Sequence, residues 1–352
     1  MLIRKRESLA CHRRNRMPST LHKPLITVAG ASSKQGRSVA TALLASGRYR
    51  VRALGRRTDS APIRQLAEQG AEIVAVPLEL GRQAEFTAAM RGSDGAFLMT
   101  PPTTPVRPPR QPELALGCEL ADAAHAAGVQ HVVWSGLENV ETRTGGALWV
   151  PHFTEKALVE EHIRALPMRS AFIYLAFFYS NFLEYYVPRR GPDGSLTFAI
   201  YLPPEVPIPF VDPLTAAGPA VLEIFDHPEK YAGKAMPVIG EILTARQMVA
   251  TFSKVSGQRA HYASAYTREE LLRHFPAFGA NEYLVRELVG MVEYAVKYGY
   301  YAPGRDMEWS RKINPDTLTW ERFLQRSKWR GELNSYGVPP EGRPSEAGAA
   351  QA

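Results

Sequence analysis

Cysteine and long apolar runs are scarce in this sequence. Only two of its 352 residues are cysteines, Cys11 and Cys118, and they lie far apart without the spacing of metal ligands. We therefore predict a reducing compartment and neither a disulfide framework nor a metal site. The most apolar stretch, residues 171–178, is much shorter than the ~20 residues that cross a bilayer. It is interpreted as the end of a buried strand, and no membrane partner is expected.

Acidic residues are almost missing from residues 1–23. That segment has seven lysines and arginines but a single acid, Glu7, so it carries most of the formal net charge of +7. A basic segment poor in apolar residues is typical of a disordered arm. An arm for nucleic acid or an anionic surface, and an imperfect mitochondrial transit peptide, stay open as alternatives. Met17 offers a second start, which would leave residues 1–16 out of the mature protein. The nearly neutral remainder argues against nucleic acid as a partner. The reducing compartment expected from the cysteines favours the cytoplasm, with the nucleus as an alternative.

The stretch from residue 25 to residue 39, LITVAGASSKQGRSV, predicts a strand, a glycine turn and a helix. An apolar run stops at Gly30, and from Gly36 apolar residues recur at helical spacing. A turn of this kind lets backbone N–H groups and a helix N-terminus face a phosphate. The stretch therefore predicts a dinucleotide site. The middle glycine of the full fingerprint is missing, because Ser33 occupies its place; its hydroxyl is a candidate hydrogen-bond partner for a phosphate.

Predicted strands and helices alternate strictly through the first half of the chain. Further strands are predicted at residues 49–54, 71–76, 96–99, 131–134 and 168–174. Further helices are predicted at residues 62–69, 82–91, 113–127 and 152–165. This alternation predicts a doubly wound parallel α/β sheet. Residues 100–112, which contain six prolines, are predicted to be a stiff loop at a strand end, and a second loop is predicted up to Val150.

The second half of the chain has a different pattern, which predicts a smaller α+β cap. Helices are predicted there near residues 213–225, 244–256, 267–274, 280–298 and 318–326. From Gly331 the composition turns to Gly, Pro, Ser and Ala, which is typical of a disordered tail. The predicted organisation is a basic arm at residues 1–23, a nucleotide-binding domain at 24–175, a cap at 176–330 interleaved with it, and a tail at 331–352.

The end of the second predicted strand lacks the acid that would hold the ribose hydroxyls of NAD. Arg56 stands there instead, with Arg57 beside it and Lys34 in the glycine turn. In dinucleotide-binding folds an arginine at this position accommodates a 2′-phosphate. The residues therefore favour NADP(H) over NAD(H).

A tyrosine is also missing where short-chain dehydrogenases carry their proton donor. These enzymes place a Tyr and a Lys four residues apart on a helix, after a Ser at the end of the fifth strand. Here Ser135 is followed by His152 and Lys156 at that spacing. A histidine exchanges protons near neutral pH, so we predict Lys156, His152 and Ser135 as the catalytic set. The alternative is that His152 merely packs at the start of the helix.

Several separated motifs resemble the NmrA-like family of atypical short-chain dehydrogenases. They are Lys34-Gln35-Gly36, the run Ser135–Asn139, the helix residues His152, Phe153, Lys156, Val159 and Glu160, and the run Pro228–Gly233. The resemblance implies a Rossmann domain with NADP(H) as the cofactor. The implied cofactor contacts are Gly30, Ala31, Ser32, Ser33, Lys34, Gln35, Gly36, Arg56, Thr100, Pro101, Lys156, Phe178 and Asn181.

The resemblance supports two functions. One is an NADP(H)-dependent oxidoreductase acting on a small organic substrate, aromatic or polyketide-like, next to a cluster of aromatic residues at 177–186. The other is a non-catalytic NADP(H) sensor that regulates a protein partner such as a transcription factor. At the end of the third strand, where relatives often contact adenine through Gly-Asp, this chain has Val76, Pro77 and Leu78, so an apolar wall is expected there.

Overall fold

A parallel sheet of seven strands forms the centre of the structure. A computed structural model describes residues 23–101, 103–108 and 111–337. The strands are β1 Leu25–Val28, β2 Arg50–Gly55, β3 Glu72–Ala75, β4 Gly95–Leu98, β5 His131–Gly136, β6 Arg169–Leu175, β7 Phe177–Phe178, β8 Arg189–Arg190, β9 Leu196–Ile200, β10 Ile208–Val211, β11 Ala235–Val238, β12 Glu241–Leu243 and β13 Ala260–Ser264.

Helices lie between most of these strands. They are α1 Lys34–Ala45, α2 Ala61–Glu68, α3 Gln83–Met90, α4 Pro112–Ala126, α5 Val140–Thr144, α6 Pro151–Ala165, α7 Asn181–Glu184, α8 Pro213–Asp226, α9 Pro228–Tyr231, α10 Ala245–Ser256, α11 Arg268–His274, α12 Glu282–Tyr298, α13 Trp309–Ile313 and α14 Trp320–Ser327, with a 3₁₀ turn at Pro276–Ala280. None of the helices in the described ranges combines the length and apolarity needed to cross a membrane.

The strand order of the central sheet is β3-β2-β1-β4-β5-β6-β11, and every pair is parallel. The chain reverses its winding direction between β1 and β4, which confirms the predicted doubly wound fold. Val28 is in register with Ala53 of β2 and Phe97 of β4. The segments that follow these three strands therefore start from the same edge of the sheet, where ligands bind in such folds.

Two small sheets and most of the remaining helices make up the second half of the chain. Their orders are β12-β10-β7 and β13-β9-β8. Strand β11 nevertheless joins the central sheet, and α8 packs on α1 at very short range. A Cβ on Gly218 of α8 would lie 2.2 Å from the backbone oxygen of Ser38, so only glycine allows this approach. The two halves are thus interleaved in space.

The structure differs from the sequence prediction in two loops and in three short helices. The segment predicted as a loop up to Val150 contains α5, because Asn139 caps its start by accepting a hydrogen bond from the N–H of Thr142 at 3.0 Å. Pro112 begins α4 instead of ending the predicted loop, since proline fits the first turn of a helix. The short helices α7, α9 and α13 were also missed.

The predicted tail begins too early. Residues 331–337 are packed: the ring of Tyr336 lies 4.8 Å from that of Phe323, and its hydroxyl donates to Asp212 at 3.2 Å. The N–H of Asn334 also donates to the carbonyl of Leu183 at 2.9 Å. A buried aromatic anchor thus offsets the Gly- and Pro-rich composition. The rest of the predicted tail, residues 338–352, and the basic arm up to residue 22, including Cys11, lie outside the described residues.

Candidate functional site

The glycine turn after β1 has the backbone that a dinucleotide site requires. Gly30 adopts φ +64°, which is strained for other residues. A Cβ on Gly36 would lie 2.2 Å from the carbonyl oxygen of Gly30, so the start of α1 sits directly against the turn. A Cβ on Gly30 itself would meet Met99 at 3.0 Å and Leu78 at 3.4 Å. These two side chains form an apolar wall beside the turn.

Ser33 caps the helix instead of offering a free hydroxyl. Its Oγ accepts a hydrogen bond from the N–H of Gly36 at 3.0 Å, and its own proton points to the sulfur of Met99 at 3.3 Å. The N–H groups of Lys34 and Gln35 make no hydrogen bond within the described part of the chain. They are therefore the donors at this helix N-terminus that remain for an anion. Ala31 is buried in the turn and Ser32 is exposed.

The basic side chains predicted around the turn have different partners. The ammonium of Lys34 pairs with Glu184 of α7 at 2.7 Å, so it ties the turn to the cap. Arg57 pairs with Asp59 at 2.8 Å on the surface. Arg56 directly follows β2, is exposed, and has no ion-pair partner among the described residues. Of the three, Arg56 is the cation left for a 2′-phosphate.

The predicted catalytic set is not joined as one group. The hydroxyl of Ser135 donates to the side-chain oxygen of Gln35 at 2.7 Å, so it links the end of β5 to the glycine turn. No hydrogen bond joins Ser135 to His152 or Lys156 within the described ranges. In this structure Ser135 therefore binds the glycine turn, and His152 and Lys156 interact with other groups.

Lys156 lies in a buried polar cluster at the edge of the sheet. Its ammonium donates to the hydroxyl of Thr100 at 2.8 Å and pairs with Glu113, which is only 1 % exposed. Thr100 in turn donates to Glu113 at 2.5 Å. These bonds occupy two of the three protons of the ammonium, so one remains for a ligand. Pro101 follows Thr100 at the same strand end.

Glu113 also faces His152. Its second carboxylate oxygen lies 3.4 Å from Nδ1 of the His152 ring, and the His152 side chain is 37 % exposed. Burial by itself would raise the pKa of Glu113, but Lys156 and His152 outweigh it and lower the pKa to about 2. Glu113 is therefore a carboxylate at any pH near neutrality. One buried anion thus holds both candidate catalytic side chains.

Two further buried glutamates hold the helices that carry this cluster. Neither helix has a capping side chain of its own, since Gln111 and Val150 precede them. Glu155 of α6 instead accepts hydrogen bonds from the N–H groups of Glu113 and Leu114 at 2.9 and 3.0 Å. Glu287 of α12 accepts from the N–H of His152 at 2.7 Å. The negative charge of an acid at a helix N-terminus also interacts favourably with the helix dipole.

Burial raises the pKa of both capping acids, although their hydrogen bonds act in the opposite direction. The sites of Glu155 and Glu287 therefore disfavour a charge, unlike the site of Glu113. Sequence reasoning missed all three acids. Glu113 gives only a weak signal, as an acid in the first turn of a helix after proline, and Glu287 comes from a helix 135 residues away in the chain.

Aromatic rings adjoin the cluster on the cap side. The His152 ring lies 5.9 Å from Phe153, which contacts Tyr300 at 5.5 Å, and Tyr300 contacts Phe177 at 4.8 Å. Phe178 ends β7 and Asn181 begins α7, so both predicted cofactor contacts come within four residues after Phe177 in the chain. No three His, Cys, Asp or Glu side chains of the described residues form a metal-ligand group.

The sheet order and the glycine turn together define a Rossmann-type α/β protein. Within this class, the chain belongs to the NmrA-like family, whose model matches residues 22–324. The resemblance carried by the separated motifs is thereby confirmed.

Fungal relatives resemble the chain over most of its length. The NmrA-like family domain-containing oxidoreductase FrzB of a Cladobotryum species is 33 % identical over 254 residues, which are 68 % of this chain and 75 % of the relative. The oxidoreductase hkm9 of Aspergillus hancockii is 30 % identical over 284 residues, which are 76 % of this chain and 81 % of the relative.

Among solved structures, NmrA, a negative transcriptional regulator, in complex with NAD, superimposes with a TM-score of 0.67 at 25 % identity. That match covers 86 % of this chain and 94 % of NmrA. The complex of NmrA with NADP matches with a TM-score of 0.68 at 24 % identity, over the same shares of the two chains, and supports the fold alone.

Proposed function

We propose that this protein is an NADPH-dependent oxidoreductase that reduces a carbonyl or conjugated carbonyl group of a small aromatic or polyketide-like substrate. The observation that carries the proposal is the contact of one buried carboxylate, Glu113, with both Lys156 and His152. This arrangement puts a cation and a proton donor together at the sheet edge where the glycine turn also ends. The names of the two fungal relatives, which describe oxidoreductases, support the same activity.

The residues of the turn fit a dinucleotide. The positive φ of Gly30, the close approach at Gly36 and the two free N–H groups of α1 make a cradle that a side chain at either glycine would fill. Arg56 would hold a 2′-phosphate, and the remaining proton of Lys156 would hold the hydroxyls of the nicotinamide ribose. When bound, NADPH supplies a hydride.

The protein's own groups would handle the proton. His152 Nδ1 faces Glu113, so Nε2 is the nitrogen that is left for the substrate oxygen. During reduction, Nε2 of the protonated ring would donate its proton to the carbonyl oxygen of the substrate, and the neutral imidazole would later be reprotonated from solvent. The positive charge of Lys156 would stabilise the negative charge that develops on this oxygen. The rings of Phe153, Tyr300 and Phe177 are buried in the core behind His152, so they support the site and do not themselves contact a substrate.

A reductase assay tests this proposal. Purified protein with NADPH and a panel of ketones, quinones and aryl enones is expected to oxidise NADPH with at least one substrate. His152→Ala and Lys156→Ala should each lower kcat by about 100-fold or more, since a general acid contributes that much. His162→Ala is the matched control, because His162 lies on the same helix but pairs with Asp122 at 2.6 Å. Turnover that both site variants leave intact would refute the mechanism.

A second candidate function is a sensor of the NADPH/NADP⁺ ratio that regulates a protein partner, in the cytoplasm or the nucleus. It is supported by the likeness to NmrA, described as a negative transcriptional regulator, and by the histidine in place of tyrosine at position 152. A sensor must bind its partner differently in its two cofactor states. Partner capture with NADPH and with NADP⁺ should then differ; equal capture, together with substrate turnover, would favour the enzyme.

A further inference from the structure

We infer that Glu113 is the positioning residue of this site, which fixes the imidazole orientation of His152 and the ammonium of Lys156 in one unit. This inference rests on the proposed function, and nothing in the family motifs points to it. Glu113 stands in the first turn of α4, outside the helix that carries the Lys and His pair. Among the described residues, Glu113 is the one group that contacts both side chains.

The contacts of the Glu113 carboxylate distinguish it from its acidic neighbours. The carboxylates of Glu155 and Glu287 accept hydrogen bonds from backbone N–H groups at helix starts, which is a structural role. Within the described part of the chain, the carboxylate of Glu113 contacts only side chains of the site, namely Thr100, Lys156 and His152. Burying a carboxylate costs free energy because its bound water is removed. We therefore expect that the charge of a buried acid that caps no helix, such as Glu113, interacts with the side chains of the site.

The geometry assigns a separate role to each oxygen of Glu113. Oε1 contacts Lys156 and Thr100, whereas Oε2 faces Nδ1 of His152 at 3.4 Å. A carboxylate opposite Nδ1 favours the ring form with a proton on Nδ1, and it stabilises the ring when both nitrogens carry one. Nε2 is thereby kept as the nitrogen that exchanges protons with the substrate. Catalytic hydrogen bonds are often long before a ligand binds, so 3.4 Å is compatible with this role.

Other charged groups lie near His152 and also contribute to the electrostatic environment of its ring. Lys156 lies one turn away on α6, and Glu287 of α12 touches the backbone N–H of His152. Burial raises the pKa of Glu287, whereas that of Glu113 is lowered. The surroundings of Glu113 therefore favour its ionised form more than those of Glu287 do. Glu113 is also the acid whose carboxylate contacts the ring itself.

The test uses Glu113→Gln, which keeps the size of the side chain but removes its charge. Nitrogen NMR of the imidazole reports which ring nitrogen carries the proton, without substrate or cofactor. In the unaltered protein the neutral ring should be protonated on Nδ1, and in Glu113→Gln this preference should weaken. Glu287→Gln is the matched control, because its amide oxygen can still accept the N–H of His152; it should leave the ring form unchanged. Identical spectra for Glu113→Gln and the unaltered protein would overturn the inference even if the protein proves not to be an enzyme.

Kinetics give the second readout. With an active substrate, Glu113→Gln should lower kcat about 100-fold and change KM little, because the ring no longer presents Nε2 to the substrate in a fixed orientation. Glu113→Asp keeps the charge and should restore part of the loss. Thermal unfolding of each variant controls for folding. A loss that lies in KM while kcat holds would mean that Glu113 is merely structural, and would refute the positioning role.

Discussion

Replacing Gly36 by alanine perturbs the tightest contact of the dinucleotide turn. The new Cβ would lie 2.2 Å from the carbonyl oxygen of Gly30 and 3.0 Å from Cα of Ala31. Both are backbone atoms, and comfortable contacts need about 3.5 Å, so the turn and α1 must separate by roughly 1 Å. Overpacking of this kind costs about 3 kcal/mol of unfolding free energy. The unfolding entropy is about 2.1 cal/mol/K per residue, so ~1 kcal/mol moves the Tm of a 352-residue chain by about 1.4 °C, and we expect a loss of about 4 °C.

Cofactor affinity is expected to fall with stability in Gly36→Ala, because the free N–H groups of Lys34 and Gln35 move with the helix start. A loss of tenfold or more in NADPH affinity should be measurable by fluorescence titration. Gly279→Ala is the control: its Cβ would meet only the end of the Leu272 side chain, at 3.3 Å, and should cost no more than about 0.5 kcal/mol. If both variants melt at the same temperature and bind NADPH equally well, the proposed close approach at this turn is wrong.

Three further predictions address single interactions. Arg56→Ala should reduce the preference for NADPH over NADH about tenfold or more in binding titrations, whereas Arg57→Ala, whose guanidinium already pairs with Asp59, should change it little. Tyr336→Phe should lower the unfolding free energy in urea by about 1 kcal/mol, because Asp212 loses a hydrogen bond. The raised pKa of Glu287 means that its contribution is most favourable at low pH and is lost as pH rises through its folded pKa. Glu287→Gln should therefore gain stability relative to the unaltered protein at pH 7 but not at pH 4; an equal difference at both pH values would contradict this linkage.

Local patterns in the sequence were sufficient to predict the central sheet and the glycine turn. The stretch around Gly30 predicted a strand, a turn and a helix. The periodicity of apolar residues and the need for glycine at a tight turn are local properties, so they can be read from the sequence. Helix α5 was missed because it spans only five residues and depends on the Asn139 cap. The packing of residues 331–337 was missed because Tyr336 is buried against α14 and Asp212, which are close to it only in the folded chain.

The candidate site was predicted in part. Lys156 and His152 were found because their spacing of four residues on one helix is visible in the sequence. The partners of the site residues were not found: Ser135 bonds Gln35, Lys34 pairs with Glu184, and Glu113 joins the catalytic pair. Each of these contacts joins residues from different parts of the chain, and no local pattern encodes such a distance.

The sequence alone therefore determined the sheet, the glycine turn and the NmrA-like family, since these follow from local periodicity and from motifs in a fixed order. Only the tertiary structure decided how the charges are distributed. It buried Glu113 between Lys156 and His152, and it placed Glu155 and Glu287 at the starts of neighbouring helices. The physical reason is that the pKa and the interactions of a buried carboxylate depend on the charged and polar groups around it. Folding alone brings those groups together.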